Sequence, residues 1–411
     1  MSHVVPAASG PALWQLLQAT AQGVAAVRQG QSATQIMLQV PADLRPGVQA
    51  LLYQSLRYLG RATALRAQLA RRAPPPPVDA LLCTALALAW REDLAPYAPH
   101  TLVNQAVEAA KRHRATQAQA AFLNACLRRF LRERDALVAA TETDPVARWN
   151  HPRWWITQLQ QDHPHQWEAI LQASQSAAPM TLRVQTRRIT REALQARWVQ
   201  AGVASQAVGE HGLVLASPRA VHDIPGFDEG LCSVQDAAAQ RAAPLLREAL
   251  KIQDGQVLRL LDACAAPGGK IAHLLELLDA DVLALDMDAQ RCERIRQTLQ
   301  RLHLQADVRC ADAGAPDQWW DGRLFDGILL DAPCTASGIV RRHPDVRWLR
   351  RASDVGQLAA QQARLLSALW PLLRPGGVLL YCTCSVFKQE GEAQVHSFVA
   401  HNTGAILRDA P

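Results

Sequence analysis

The chain has 411 residues, of which 49% are apolar and 19% are charged. This length exceeds one ordinary hydrophobic core, so we expect two or three domains, and the composition excludes a disordered protein. The longest apolar run, ALLCTALALAW (80–90), is too short to span a membrane, and the N-terminus lacks the pattern of a secretory signal. Nine cysteines without such a signal are typical of reduced thiols, and none has zinc-ligand spacing. We therefore expect a cytoplasmic protein without a metal site or a membrane span.

The net charge of +6 is concentrated in the first third of the chain. Residues 1–150 carry 16 Lys and Arg against 9 Asp and Glu, whereas residues 151–235 carry 7 against 7 and residues 236–411 carry 20 against 21. A basic N-terminal module beside a neutral remainder is typical of proteins that bind a polyanion. A solvated helical surface accounts for the same charges equally well.

Residues 11–140 carry apolar positions at helical spacing, as in LWQLLQATAQGVAAV and AAFLNACLRRFLRERDALV. The APPPPVD segment (73–79) breaks this pattern as a connector. We therefore predict an all-helical domain over residues 1–144. It contains six basic residues that lie close in sequence: Lys111, Arg112, Arg114, Arg128, Arg129 and Arg132. Contact with an RNA backbone and an ordinary amphipathic surface both explain this cluster.

Residues 145–235 change in character. Helical, Trp-rich segments precede the strand-like MTLRVQT (180–186), the helical REALQARWVQAG and the short strand-like GLVLAS. A strand–helix–strand arrangement of this length predicts a small α+β linker domain.

From residue 236 onward, strand and helix patterns alternate. Strands are predicted in VLRLLDA, DVLALD, ADVRC, FDGILLD and GVLLYCT, with helices over 270–279, 288–302, 354–373 and 388–401. This alternation predicts an open, mostly parallel sheet over residues 236–411, whose ligands lie at the carboxyl ends of the strands.

The first predicted strand of this region runs into the loop LDACAAPGGK, which superficially resembles a phosphate-binding loop. A P-loop needs a first glycine where this chain has Cys264 and a hydroxyl residue where it has Ile271. The dinucleotide fingerprint with three spaced glycines is also absent. The loop therefore has the position of a nucleotide-binding loop without its phosphate chemistry.

Acidic residues follow each of the first four strands. Asp262 ends the first, Asp286 lies 17 residues beyond Gly269, and Asp312 and Asp331 follow the third and fourth. An acid at the position of Asp286 commonly binds ribose hydroxyls. Such a set beside a small-residue loop suits a ligand with a ribose, an adenine and no phosphate chain, which describes S-adenosylmethionine.

Two of the strand ends also carry a cysteine, Cys334 after Asp331-Ala-Pro and Cys384 after Thr383. Carbon 5 of a pyrimidine is a poor nucleophile, but a thiolate that adds to carbon 6 activates it toward a methyl donor. A second group must then remove the carbon-5 proton, and an acid such as Asp331 must neutralise charge at ring N3. The two cysteines can supply the first two roles, and this chemistry leaves open which thiol is the nucleophile. The alternative is that both are buried packing residues, as cysteines usually are.

The motifs DACAAPGGK, DAPCTASGIVRRHPDVRW and YCTCSVFKQEGE resemble those of the Sun-type RNA 5-methylcytosine methyltransferases. Within that group the RRHPDVRW segment (341–348) and the helical N-terminal third are most similar to the bacterial RsmB family, which modifies a cytosine of small-subunit ribosomal RNA. The segments VNQAVEAAK and FLNACLRRF resemble the NusB-like RNA-binding domain of that family.

The resemblance implies a NusB-like all-α domain, a small α+β linker and a class I, Rossmann-like α/β domain that uses S-adenosylmethionine. It assigns the nucleophile to Cys384 and proton removal or enzyme release to Cys334, with Asp331 and Lys270 beside them. Lys270 is also notable by itself, since the chain has only four lysines against 39 arginines. The donor site implied by the resemblance consists of Cys264, Ala265, Ala266, Pro267, Gly268, Gly269, Lys270, Asp286, Asp312 and Asp331.

The resemblance also implies a final aromatic-rich strand after the last predicted helix, whereas this chain ends at ILRDAP. We expect a monomeric enzyme that acts on small-subunit ribosomal RNA. Two alternatives remain open: a tRNA cytosine-C5 methyltransferase with the same catalytic residues, and a NusB-like RNA-binding regulator whose methyltransferase domain is inactive.

Overall fold

A computed structural model describes residues 10–252 and 255–408. The chain divides into two compact units. One comprises the residues up to Ala177 together with Ser337–Ala352, and the other comprises Ala178–Ala336 together with the residues from Ser353 onward. The three-domain division at 1–144, 145–235 and 236–411 stays a prediction.

The first unit is helical, as the sequence predicts. Its helices are α1 (Leu13–Arg28), α2 (Ala33–Gln39), α3 (Arg45–Arg57), α4 (Leu59–Leu69), α5 (Pro76–Ala89), α6 (Pro99–Arg112), α7 (Ala120–Ala140), α8 (Pro145–Trp149), α9 (Arg153–Asp162), α10 (Trp167–Ser174) and α15 (Val346–Leu349).

A single apolar core joins α1 to α7 of this unit. Leu17 of α1, Leu52 of α3, Leu86 of α5 and Phe130 of α7 are completely buried in it. The continuous helical pattern over 48–70 is divided in the structure, because Tyr58 leaves the helical region (φ −114°, ψ 20°) between α3 and α4. The helical prediction for this part of the chain is otherwise confirmed.

The segment Ser337–Ala352 is tied into the helical unit by buried polar contacts. The Arg347 side chain is completely buried and donates to the carbonyl oxygens of Asn150 (3.2 Å) and Ser174 (3.0 Å). Burial, with Arg57 as a second cause, lowers the pKa of Arg347 to about 9. Asp345 accepts a 2.8 Å hydrogen bond from the Ala33 amide at the start of α2. These contacts explain why a segment between two strands of the other unit belongs to this one.

The second unit contains a small antiparallel sheet. Its strands are β1 (Thr181–Val184), β2 (Ser205–Val208), β3 (Gly212–Leu215) and β4 (Cys232–Val234), accompanied by helix α11 (Arg191–Gln200). The strand order is β2-β3-β1-β4. The predicted strands over MTLRVQT and GLVLAS are confirmed as β1 and β3.

The same unit contains a five-stranded parallel sheet, which confirms the predicted α/β fold. Its strands are β5 (Leu258–Asp262), β6 (Ala280–Asp286), β7 (Asp307–Cys310), β8 (Phe325–Asp331) and β9 (Leu373–Cys382), in the order β7-β6-β5-β8-β9. The accompanying helices are α12 (Ala242–Ala249), α13 (Gly269–Leu277), α14 (Ala289–Arg301), α16 (Ala352–Leu369) and α17 (Glu392–His401).

Alternate residues of the central strands enter two separate apolar cores. Leu260 of β5 packs in one core with Leu274 of α13, whereas its neighbour Leu261 packs in the other with Leu366 of α16. Successive side chains of a strand point to opposite faces, so a sheet covered on both sides needs nearly continuous apolar strands. The central strands β5, β6 and β8 have that character.

A buried ion pair links the small sheet to α13. Arg183 of β1 donates to both carboxylate oxygens of Glu276 at 2.9 and 2.6 Å, and both side chains are completely inaccessible to solvent. The same guanidinium donates to the Gly269 carbonyl (2.7 Å) at the start of α13. This bidentate contact fixes the helix that carries Lys270.

We expect Arg183→Ala to lower the free energy of unfolding by about 3–5 kcal/mol, because it leaves the Glu276 carboxylate buried without a counter-charge. Urea unfolding of the full chain measures this loss. Arg197→Ala is the matched control, since Arg197 pairs with Glu229 at the surface and both side chains are exposed. Equal unfolding midpoints for the two variants would contradict the assignment.

Candidate active site

Gly268 lets the loop between β5 and α13 pass close to helix α14. Gly268 has φ +100°, a left-handed conformation that glycine adopts without strain. A Cβ atom at this position would lie 3.3 Å from both Ile295 and Thr298 of α14, tighter than most real contacts. The Ala265 amide donates to the Leu285 carbonyl at 2.9 Å and so ties the loop to β6. The loop therefore lies against α14 and against the carboxyl end of β6.

The loop residues of the predicted donor site differ in exposure. Ala265 and Gly268 are buried, Ala266 and Gly269 are half-buried, and Pro267 is exposed. Burial, reinforced by neighbouring carboxylates, raises the pKa of Cys264 to about 12, so this cysteine is a neutral thiol. Its contribution to the site is therefore shape and apolar contact.

Asp286 ends β6 directly beside the loop. Its carboxylate accepts hydrogen bonds from the amides of Ala266 (3.4 Å) and Asp288 (3.1 Å), and it lies 3.3 Å from the Arg291 guanidinium. These contacts hold an acidic side chain at the carboxyl end of β6, beside the β5 loop.

Asp312 follows β7 and is held differently. It accepts from the Gly314 amide at 2.8 Å and lies 3.0 Å from the Arg364 guanidinium. The hydrogen bond from Arg364 is the main cause that lowers the pKa of Asp312. Asp312 is therefore an ionised carboxylate engaged by its own neighbours.

Lys270 and Asp331 form an ion pair, with 2.5 Å between Nζ and Oδ2. Burial by itself lowers the pKa of Lys270, but the charge of Asp331 and the hydrogen bond to Asp331 raise it above the ordinary value. The Cys382 thiol donates to the other oxygen of Asp331 at 3.6 Å. Burial and the Asp331 charge raise the pKa of Cys382 well above its usual value, so it stays protonated as a donor.

Asp262 is the residue of this region that sequence reasoning noted at a strand end without including it in the site. Its side chain is completely buried, and neither oxygen has a hydrogen-bond partner within the part of the chain that the structure describes. Burial and the nearby Asp331 charge raise the pKa of Asp262 to about 7, against the opposing effects of Lys270 and the adjacent Cys264 amide. Its position directly before a loop of small residues could have indicated from the sequence that Asp262 belongs to the site.

The thiols of Cys334 and Cys384 lie 3.3 Å apart. Cys334 follows β8 and is 9% exposed, whereas Cys384 follows β9 and is exposed. The thiol–thiol hydrogen bond is the main cause that lowers the pKa of Cys334 and raises that of Cys384. The charges of Asp331 and Lys270 also act on the pKa of Cys384, which makes the thiols and the ion pair parts of one electrostatic site.

The basic cluster predicted near the end of the helical domain lies on α6, α7 and the turn between them. All six side chains belong to exposed residues: Lys111, Arg112, Arg114, Arg128, Arg129 and Arg132. Some of their charge is already compensated, since Arg129 pairs with Glu133 at 2.9 Å and Arg112 pairs with Glu108. Arg112 also lies over the Trp14 ring, 4.6 Å from its centroid.

Two kinds of feature are absent from residues 10–252 and 255–408. No helix there is long and apolar enough to cross a membrane. In the same described part, no three His, Cys, Asp or Glu side chains form a group that could hold a metal ion.

Comparison with known proteins gives two family matches. Residues 247–410 match the model of the 16S rRNA methyltransferases RsmB/F, and residues 151–222 match the ferredoxin-like domain of RsmF/B-like methyltransferases. The second match covers the strands β1–β3 described above.

A relative and two solved structures extend these matches over most of the chain. The ribosomal RNA small subunit methyltransferase B of Pseudomonas putida is 40% identical over 399 residues, which are 94% of this chain and 89% of that protein. The crystal structure of PH0851 has a TM-score of 0.73 at 22% identity and covers 94% of this chain and 90% of that one, which shows a shared fold. A methyltransferase homologue from Pyrococcus horikoshii has a TM-score of 0.54 at 28% identity, over 63% of this chain and 81% of that one. The motifs, the parallel sheet and this extent of identity agree: the chain belongs to the RsmB/F family of 16S rRNA methyltransferases.

Proposed function

We propose that this protein transfers a methyl group from S-adenosylmethionine to carbon 5 of a cytosine in small-subunit ribosomal RNA, through a covalent cysteine–pyrimidine intermediate. One observation carries the proposal. Two thiols, Cys334 and Cys384, lie 3.3 Å apart at the carboxyl edge of a parallel sheet, and the charges of Lys270 and Asp331 act on one of them. A methyltransferase with a single acceptor oxygen or nitrogen needs no such pair.

The difference in exposure between the thiols supports their separate roles. Cys384 is exposed and can reach carbon 6 of a base that enters from solvent, whereas Cys334 is 9% exposed behind it. Cys384 is exposed and can give up its proton to solvent, whereas a thiolate on Cys334, whose pKa is lowered, stays available to accept the carbon-5 proton. We therefore assign the nucleophile to Cys384, and removal of the carbon-5 proton or release of the enzyme to Cys334.

The Lys270–Asp331 pair is suited to contact ring N3, which lies across the base from the carbon 6 that the thiolate attacks. Thiolate addition at carbon 6 develops negative charge at ring N3, which the Lys270 ammonium beside Asp331 can stabilise. The proton shared between Lys270 and Asp331 across 2.5 Å is the proton that this pair can deliver, and it returns to the pair when the carbon–sulfur bond breaks. A compact ammonium fits such a position better than a guanidinium.

The residues around the β5 loop fit S-adenosylmethionine. Both oxygens of Asp262 are buried without a partner among the described residues, at the end of the strand that leads into the loop. Asp286 at the end of β6 has the position of an acid that binds ribose hydroxyls. When bound, S-adenosylmethionine supplies an electrophilic methyl group. The loop Cys264–Lys270, Asp286, Asp312 and Asp331 would hold it.

Ribosomal RNA as the substrate is supported by the name of the Pseudomonas putida relative and by the basic α6–α7 surface. A NusB-like RNA-binding role for the helical domain belongs to this proposal. The reaction is proposed for the cytoplasm, where thiols of this kind remain reduced.

We expect Cys384→Ala to abolish methyl transfer while leaving donor binding intact, because the thiolate that activates carbon 5 is lost. Labelled methyl transfer to unmodified small-subunit ribosomal RNA measures the first effect, and thermal stabilisation by S-adenosylmethionine measures the second. Cys126→Ala, which removes a buried cysteine of α7, is the control and should stay active. Turnover in the Cys384 variant would refute the assignment, and label on bulk tRNA alone would transfer the chemistry to another RNA.

We expect Cys334→Ala to accumulate a covalent protein–RNA adduct, because addition at carbon 6 still occurs while elimination of the enzyme is blocked. A denaturing gel should show a band of reduced mobility that RNase treatment removes. The double variant with Cys384→Ala should show no such band. Absence of the adduct in the single variant, with donor binding intact, would count against a release role.

The pH dependence of stability should report on Asp262. Its folded-state pKa of about 7 exceeds the value of about 3.9 in the unfolded chain, so the folded state keeps this proton while the unfolded state loses it. Stability from this group is therefore full below about pH 4 and falls as pH rises to 7, by up to about 4 kcal/mol. Urea unfolding of Asp262→Asn at several pH values should lack this fall. If the unfolding free energies of the variant and the unsubstituted protein change equally with pH, Asp262 is not the cause of the fall.

A further inference from the structure

Glu390 is a completely buried glutamate in the short 3₁₀ turn Lys388–Glu390, six positions after Cys384. Neither the proposed chemistry nor the donor site uses it. Among the described residues, its carboxylate accepts hydrogen bonds from neutral groups and has no basic partner. Such a group costs folding free energy unless its hydrogen bonds are complete, so its contacts need an explanation.

The contacts of Glu390 join the two loops that carry the thiols. One oxygen accepts from the Thr335 amide at 2.8 Å, and the other accepts from the hydroxyls of Thr335 (2.5 Å) and Ser385 (2.6 Å). Thr335 directly follows Cys334, and Ser385 directly follows Cys384. A single carboxylate is therefore bonded to the residue after each thiol.

The sheet itself stops holding the two loops just before the thiols. The last residues paired between β8 and β9 are Asp331 and Cys382, followed by a hydrogen bond from the Ala332 amide to the Cys382 carbonyl at 2.9 Å. Beyond that point the strands diverge into loops, so the distance between the sulfur atoms depends on contacts outside the strand ladder. The Glu390 carboxylate supplies contacts of this kind on both sides.

Buried neighbours in turn hold Glu390 in place. Gln362 of α16 is completely buried and donates both to Glu390 (3.3 Å) and to the Pro333 carbonyl (2.9 Å). The Tyr381 hydroxyl donates to the Glu390 carbonyl at 2.7 Å, and the Phe387 amide donates to the Ser385 hydroxyl at 3.0 Å. These hydrogen bonds together hold Glu390 in one geometry, although the Gln362 Oε1 atom is buried without a partner among the described residues.

We infer that Glu390 is a positioning residue that sets the separation and alignment of the Cys334 and Cys384 sulfur atoms. The effect of Glu390 on catalysis rests on the proposed function, whereas its effect on the distance between the two sulfur atoms does not. A reaction that uses two thiols in turn loses rate when either moves, and a misplacement near 1 Å costs about 100-fold. Glu390 acts by preventing that movement.

The variant Glu390→Gln tests the role with the least change in volume. Its amide can keep one acceptor oxygen toward the Thr335 amide and Gln362, but its NH₂ group would then face the hydroxyls of Thr335 and Ser385. Both hydroxyls would have to turn from donor to acceptor, and the Ser385 oxygen already accepts from Phe387. The two loops should therefore lose the carboxylate that both of them bind, while a glutamine of nearly the same volume takes its place.

The first measurement is the rate at which diamide converts Cys334 and Cys384 into a disulfide, with peptide mass spectrometry to identify the linked pair. Diamide takes up the two protons and two electrons of the thiols and becomes a hydrazine. Sulfur atoms 3.3 Å apart should react rapidly in the unsubstituted protein. In Glu390→Gln we expect this rate to fall about tenfold or more, because the near-attack geometry is lost.

The second measurement is steady-state methyl transfer. We expect Glu390→Gln to lower kcat by about 10- to 100-fold while KM for S-adenosylmethionine and the melting temperature stay unchanged. A merely structural role would instead lower the melting temperature and leave the disulfide rate of the folded protein intact. Glu392→Gln is the matched control, since that glutamate is exposed, lies two positions away and pairs with Lys388 at 3.2 Å.

The outcomes separate the two proposals. If Glu390→Gln forms the disulfide at the same rate as the unsubstituted protein, the positioning role is overturned, whatever the rate of methyl transfer. A slowed disulfide rate in a protein that never methylates RNA would support the positioning role and overturn the proposed function. If Glu390→Gln does not fold, Ser385→Ala removes one arm of the same contact and should give a smaller fall in the disulfide rate. An unchanged rate in that variant would overturn the role as well.

Discussion

The parallel register of β8 on β9 is the constraint on which the candidate site depends. Adjacent parallel strands end at one edge of a sheet, so the pairing of Asp331 with Cys382 brings the two following loops side by side. The same edge receives the β5 loop, because β5 pairs with β8 on its other side. The ion pair of Lys270 with Asp331 and the contact between Cys334 and Cys384 both follow from these two pairings.

Three buried acidic side chains of the unit with the parallel sheet differ in how they are held. Arg183 and Glu276 neutralise each other and fix α13, whereas Glu390 is satisfied by neutral donors and joins the thiol loops. Asp262 differs from both, because its oxygens are buried without partners among the described residues. Burial without a partner costs folding free energy, which is typical of a group kept for a ligand or for proton exchange rather than for stability.

The two thiols of the site are chemically inequivalent although they differ little in covalent surroundings. One is exposed and the other is nearly buried, and the hydrogen bond between them shifts their pKa values in opposite directions. A pair that shares one proton can present a thiolate on either member without help from a histidine or a metal ion. The proposed mechanism uses one of these thiols as the nucleophile and the other as the proton acceptor.

The sequence by itself determined the helical first third, the alternation of strands and helices after residue 236, and the identity of the acids and cysteines at the strand ends. These features are local, since a period of two or 3.6 residues and a glycine before a helix are visible within a short window. The quoted motifs also carried the family resemblance, which the comparisons bear out. Only the tertiary structure decided that β5 lies between β6 and β8, that the Cys334 and Cys384 sulfur atoms are 3.3 Å apart, and that Glu390 is bonded to both thiol loops. Strand order and contacts between residues fifty or more positions apart, such as Cys334 with Cys384 and Thr335 with Glu390, depend on which surfaces pack together, and no local period encodes that.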